Sequence, residues 1–127
     1  MCRPGQTFEH EVLGVLKLYG HKIERPPKLG PDGGVDMITS LDAPIGGGRY
    51  LVQCKDKEAV GREDVDKFIG TLERENVHMG IMVTSGRFVK KARKGTNGRV
   101  QFIDGPRYEE LRKRLTEWLQ IKWNQQR

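Results

Sequence analysis

A chain of 127 residues, 35% of them hydrophobic, is long enough for one core and short for two domains. Two cysteines exclude a disulfide framework, and no apolar run nears the ~18 residues needed to cross a bilayer, so a cytoplasmic protein without membrane contact is expected. A formal net charge of +6 points instead toward a polyanionic partner, while His10, His21 and His78 are scattered without the ligand spacing of a zinc site.

Phe8, Val12, Val15, Leu16 and Tyr19 recur at helical spacing and predict a helix over 8–19 with one buried stripe. Glu9 falls inside that stripe. A carboxylate turned toward a core is costly unless it is paired or coordinates a metal. Glu9 is therefore a salt-bridged residue, a first-turn acid suited to the helix dipole, or a contributor to a metal site. Gly20 stops the helix, and His21–Arg25 predicts a short strand broken by Pro26-Pro27.

The glycine-rich turn Pro31-Asp32-Gly33-Gly34 then leads into the strand Val35-Asp36-Met37-Ile38. A second strand ends in Gln53-Cys54-Lys55, and the loop from Asp42 to Gly48 joins the two as a hairpin. Side chains alternate faces along a strand, so Gln53 and Lys55 project together while Tyr50, Val52 and Cys54 project the other way. Across the ladder, Asp36 can face Gln53 and Lys55. Such a cluster offers two oxygens to a hard divalent cation and one fixed positive charge to a phosphate or an attacking water. Asp, Gln and Lys at strand ends are more often solvated residues leaving a core, and from these residues alone both readings stand.

Further along, Val65, Phe68, Ile69 and Leu72 mark an amphipathic helix over 62–76, and Gly80–Val83 reads as a buried strand. Phe88, Val89 and Ala92 predict the buried edge of a short basic helix. Val100–Ile103 is the last predicted strand, and Tyr108, Leu111, Leu115, Trp118 and Leu119 line a terminal helix. The order describes an α/β domain with a mixed sheet of about five strands flanked by helices.

Linked in one order, Phe8-Glu9, Asp32-Gly33-Gly34-Val35-Asp36, Leu51-Val52-Gln53-Cys54-Lys55, Ile81–Phe88 with Ala92, and Phe102-Ile103-Asp104-Gly105 resemble the catalytic domain of the Mrr-like restriction endonucleases, within the PD-(D/E)xK nuclease superfamily. The resemblance spans Phe8 to Leu115 and implies a restriction-endonuclease-like fold and Mg²⁺-dependent hydrolysis of DNA, with Mn²⁺ as a substitute. It implies that Asp36 is the acidic metal ligand and that Gln53 stands where many relatives carry Asp or Glu. Lys55 would orient water or stabilise the pentavalent phosphate. Glu9 would be the helical acid completing the metal site, together with the backbone carbonyl of Cys54. A neutral Gln contributes less to Mg²⁺ than a carboxylate, so weaker metal binding is expected.

Charge supplies an independent pointer. Six of the 23 basic residues, Arg87, Lys90, Lys91, Arg93, Lys94 and Arg99, lie in one stretch without an acid, leaving as many cations as the 17 anions elsewhere. Such a stripe suits a phosphate backbone, although a solvated helix face is the commoner outcome for one charge run. Ser85, with Thr84 and Gly86, lies where a strand enters a helix start and free N–H groups suit a phosphate. The expected protein is a single-domain DNA nuclease without a separate DNA-recognition domain, nucleoid-associated when bound. Specificity then comes from the domain, from a homodimer for which Trp118 and Trp123 leave room, or from a separate specificity protein. Two alternatives are a structure-selective nuclease such as a Holliday-junction resolvase, and a DNA-binding module of the same fold that lost turnover.

Overall fold

The structure, a computed structural model, describes residues 7–29 and 34–126. In chain order it comprises α1 (Phe8–Leu18), β1 (His21–Leu29), β2 (Val35–Leu41), β3 (Gly48–Lys55), β4 (Ala59–Val60), α2 (Arg62–Arg74), β5 (Met79–Thr84), β6 (Arg87–Phe88), a 3₁₀ turn (Lys90–Arg93), β7 (Val100–Ile103) and α3 (Gly105–Gln126). Five strands form one sheet in the order β1-β2-β3-β5-β7. The first three pair antiparallel, and β3, β5 and β7 pair parallel. Short β4 and β6 make a second, two-stranded sheet. The glycine-rich turn lies mostly at 30–33, outside the described residues, as does Cys2.

Both faces of the sheet are covered, because period-two alternation gives each central strand two apolar sets. Met37, Val52, Cys54, Ile81, Val83 and Ile103 pack with Phe8, Val12 and Leu16 of α1 and Tyr108 of α3. On the opposite face Ile38, Leu51, Met82 and Val100 pack with Val65, Phe68 and Leu72 of α2. Thr7 caps α1 by accepting from the His10 N–H at 3.4 Å, with Glu9 and Glu11 in the first turn, where negative charge suits the helix dipole. Asp104 starts α3 in the same way, accepting from the Arg107 N–H at 3.0 Å. Among the described residues no helix is long and apolar enough to cross a membrane.

Two segments differ from expectation. Pro26-Pro27 does not end β1, which continues to Leu29 as an edge strand, where a residue without an N–H is tolerated. The segment from Phe88 to Ala92 is not an α-helix. Phe88 pairs with Val60 in the small sheet, the Val89 N–H donates to the Val60 carbonyl at 2.9 Å, and one 3₁₀ turn follows before Gly95 enters positive φ. With strand pairing at one end and a left-handed residue at the other, too few residues remain to nucleate an α-helix.

α2 lies so close to β5 that a Cβ at Gly80 would sit 2.5 Å from Cε2 of fully buried Phe68 and 3.2 Å from Leu72. Gly80→Ala is expected to overpack this contact and destabilise the domain by about 1–3 kcal/mol, read as a lowered denaturant midpoint. An unchanged midpoint would show that α2 shifts at no cost.

Candidate active site on the α2 face

The β2–β3 register sets Asp36 opposite Gln53. Both share a face with Ile38 and Leu51, which pack under α2. Gln53 Nε2 donates to Asp36 Oδ1 at 2.7 Å. Lys55, two residues on, falls on the same face and sends its Nζ to Asp64 Oδ1 at 3.3 Å. Asp36, Gln53 and Lys55 are 7%, 2% and 7% exposed, so they are buried polar groups held by partners and not residues leaving the core.

Gly34 makes room for the group. A Cβ there would lie 3.0 Å from Gln53 Cδ and 3.1 Å from Lys55 Cε. Asp64, in the first turn of α2, anchors the lysine. Its other oxygen accepts from Lys57 Nζ at 2.7 Å and from the Gly61 N–H at 3.2 Å. Burial alone would raise the Asp64 pKa, but the hydrogen bonds from Lys57 and the Gly61 N–H, and the charge of Lys55, outweigh it and hold the carboxyl below its ordinary value.

The structure therefore brings Asp36, Gln53 and Lys55 together. Glu9 stands half-buried on α1, a helix whose buried residues pack on the opposite face. Its charge is felt at Cys54, whose thiol pKa is pushed up first by burial and then by the carboxylates of Glu9 and Asp36. The Cys54 side chain belongs to the α1 face, which leaves only the backbone of this residue to serve Asp36 and Gln53. Glu11 is the α1 carboxylate that engages α3. It accepts from the Tyr108 hydroxyl at 3.2 Å and pairs with Arg112 at 3.2 Å.

Among the described residues no three His, Cys, Asp or Glu side chains gather to hold a metal. What converges is one carboxylate, Asp36, and one amide, Gln53. These are hard oxygen donors of the kind Mg²⁺ or Mn²⁺ accepts, with water completing the shell. An amide that donates through Nε2 keeps Oε1 as its acceptor end.

The basic stretch divides. Arg93 stacks on Phe88 and Phe102, at 5.4 and 5.7 Å to the ring centroids, and pairs with Asp104 at 3.5 Å. Arg99 donates to the His78 carbonyl at 3.0 Å. Arg87, Lys90, Lys91 and Lys94 are exposed. Arg62, at the start of α2, ties this turn down by donating to the Lys94 carbonyl at 2.6 Å. The expected phosphate nest at Thr84-Ser85-Gly86 is taken by internal bonds. The Gly86 N–H donates to Thr84 Oγ1 at 3.1 Å, the Arg87 N–H to the Glu58 carbonyl at 2.9 Å, and Ser85 Oγ to Asp56 at 2.5 Å.

Residues 3–112 match the Mrr_cat family of restriction endonucleases. The chain belongs to that family. It is 33% identical over 113 residues to the type IV methyl-directed restriction enzyme EcoKMrr of Escherichia coli (strain K12), covering 82% of this chain and 36% of that enzyme. Its fold is similar to that of the DNA modification-dependent restriction endonuclease AspBHI (TM-score 0.60, 18% identity, 89% of this chain and 34% of the other). It is also similar to that of the restriction endonuclease MspJI in complex with a 27-mer oligonucleotide (TM-score 0.52, 22% identity, 78% and 24%). The chain thus spans about a third of the length of the EcoKMrr relative. Restriction endonucleases of this kind generally use divalent metal ions, and the oxygen donors on the α2 face of this Mrr_cat domain suit one.

Asp64 generates a pH-dependent prediction. A carboxyl whose folded pKa is depressed adds stability above its unfolded value, near 4, and loses it as the pH falls through the folded value. Asp64→Asn is therefore expected to be less stable than the parent at pH 7, with the gap narrowing below about pH 4 in denaturation curves. A gap independent of pH would remove the charge of Asp64 from the account.

Proposed function

We propose that this domain is a Mg²⁺-dependent DNA endonuclease that hydrolyses phosphodiester bonds, with Mn²⁺ as a substitute. The observation that carries the reading is the buried convergence of Asp36, Gln53 and Lys55 on one face. Membership in a restriction endonuclease family supports it. Asp36, the Gln53 amide oxygen, the Cys54 carbonyl and Glu9 are the donors that would hold the cation, which when bound polarises the scissile phosphate and lowers the pKa of a bound water. Lys55, steadied by Asp64, sets a fixed positive charge beside the phosphate as negative charge develops there. Lys90, Lys91 and Lys94, with Arg87, supply exposed cations for the DNA backbone. EcoKMrr is methyl-directed and AspBHI modification-dependent, so modified duplexes belong among the substrates tested.

Asp36→Ala and Lys55→Ala are each expected to lower cleavage by about 10²-fold or more while duplex binding persists, because both groups act chiefly on the transition state. Incubation with plain, methylated and branched DNA, in Mg²⁺, Mn²⁺ or EDTA, checks this. Cleavage at the parent rate by either variant would refute the site. One observation favours a second reading: among the described residues no three His, Cys, Asp or Glu side chains gather, and a neutral amide, Gln53, stands beside Asp36. Tight duplex binding without cleavage in either metal would make the protein a DNA-binding module.

The exposed lysines carry a separate expectation. The Lys90→Ala, Lys91→Ala, Lys94→Ala triple variant should bind duplex DNA of any sequence more weakly and flatten the slope of log K against log salt by roughly one to three units. Its cleavage rate should recover at saturating protein and low salt. Equal slopes in fluorescence anisotropy would show that DNA lies elsewhere.

A further inference from the structure

The pairing of β1 with β2 slips twice. Ile23 faces Thr39, Arg25 faces Ile38, and Lys28 faces Asp36, so β1 carries one extra residue before Arg25 and another across Pro26-Pro27. In a regular strand, residues three apart point to opposite faces; the second bulge puts Arg25 and Lys28 on the same one. A regular β1 that kept Ile23 on Thr39 would set Lys28 against Gly34. As built, Lys28, Asp36 and Gln53 form one rung across three strands.

Beside this rung opens a cavity of about 160 Å³, walled by Arg25, Lys28, Asp36, Thr71, Arg74 and Glu75. Arg25 Nη1 pairs with Glu75 at 2.9 Å, and Arg74 Nη2 donates to Thr71 Oγ1 at 2.9 Å. Arg25 Nε is buried and has no hydrogen-bond partner among the described residues. A buried donor left unsatisfied is destabilising, and negative charge brought into the neighbouring cavity would offset the charge of this guanidinium. Arg25, Lys28 and Arg74 set three positive charges against the carboxylates of Asp36 and Glu75, and a cation held at Asp36 would tip the balance further positive.

We propose that Arg25, Lys28 and Arg74 form a subsite for a backbone phosphate of the cleaved strand, next to the scissile one, and that the Pro26-Pro27 bulge aims Lys28 into it. This rests on the nuclease reading of Asp36. It differs from the Lys90–Lys94 surface, which Arg62 ties to the start of α2, in lying between β1 and the end of that helix.

The test compares parent, Lys28→Ala, Lys28→Arg and, as a control on the far face of the sheet, Lys113→Ala. Duplex binding is measured by anisotropy in EDTA across a salt series, and cleavage in Mg²⁺ in parallel. Lys28→Ala should lower the salt slope by about 0.9, the value of one phosphate contact, and raise KM several-fold with kcat unchanged. Lys28→Arg should restore both, and Lys113→Ala should match the parent. A Lys28→Ala slope equal to the parent's overturns the subsite. Cleavage by the parent that is lost in Asp36→Ala upholds the nuclease reading whatever Lys28 does. A parent that binds but never cleaves removes that reading while the slopes still decide the subsite, and a parent that neither binds nor cleaves overturns both.

Discussion

The antiparallel pairing of β2 with β3 is the constraint on which the rest depends. Its register sets the Asp36–Gln53 hydrogen bond, and the same alternation sends Met37, Val52 and Cys54 into the α1 core and Ile38 and Leu51 into the α2 core. A slip of β3 by one residue against β2 would turn Gln53 among the α1 side chains and Val52 toward α2, parting Gln53 from Asp36. Two apolar cores therefore enforce the placement of two polar groups. The core of the site needs no loop to hold it, because Asp36 and Gln53 each stand on a strand with an apolar neighbour on either side in sequence, and Lys55 ends the same strand as Gln53.

The hairpin was legible because period-two alternation is written directly in Val35–Ile38 and Leu51–Lys55, and the two faces it implies are the two faces observed. The parallel strands at Met79–Thr84 and Val100–Ile103 were legible as short β-branched runs between helical patterns. Asp64 was not. It lies nine residues beyond Lys55, and only the return of α2 over the sheet brings them together. Arg25 and Lys28 escaped for a different reason. Their common face comes from bulges, which periodicity cannot register, and two prolines read locally as a break. On α1, helical spacing drew attention to Glu9, whereas the carboxylate that engages another element is Glu11, through Tyr108 and Arg112 of α3, which arrives almost a hundred residues later.

Charge had to be sorted by structure as well. A run of cations looks uniform in sequence, yet Arg93 is spent on two aromatic rings and Asp104, and Arg99 on a carbonyl, while Lys90, Lys91 and Lys94 stay exposed. Guanidinium groups lend themselves to this division because they stack and donate in a plane, whereas an ammonium on a flexible stem keeps its hydration. Burial of Phe88 and Ala92 fixes the backbone of the segment, so the lysines project from a rigid base even though no α-helix forms there.

The prolines of β1 have a consequence unrelated to DNA. β1 is an outer strand of the sheet, and an outer strand exposes a row of backbone groups that can recruit a strand from another molecule. Pro26 and Pro27 have no N–H to offer such a strand, and the bulge around them twists the edge out of the regular ladder. On the opposite border β7 is only four residues long. The sheet is thus interrupted within one border and short along the other, which guards a small, basic, strand-rich domain against edge-to-edge aggregation.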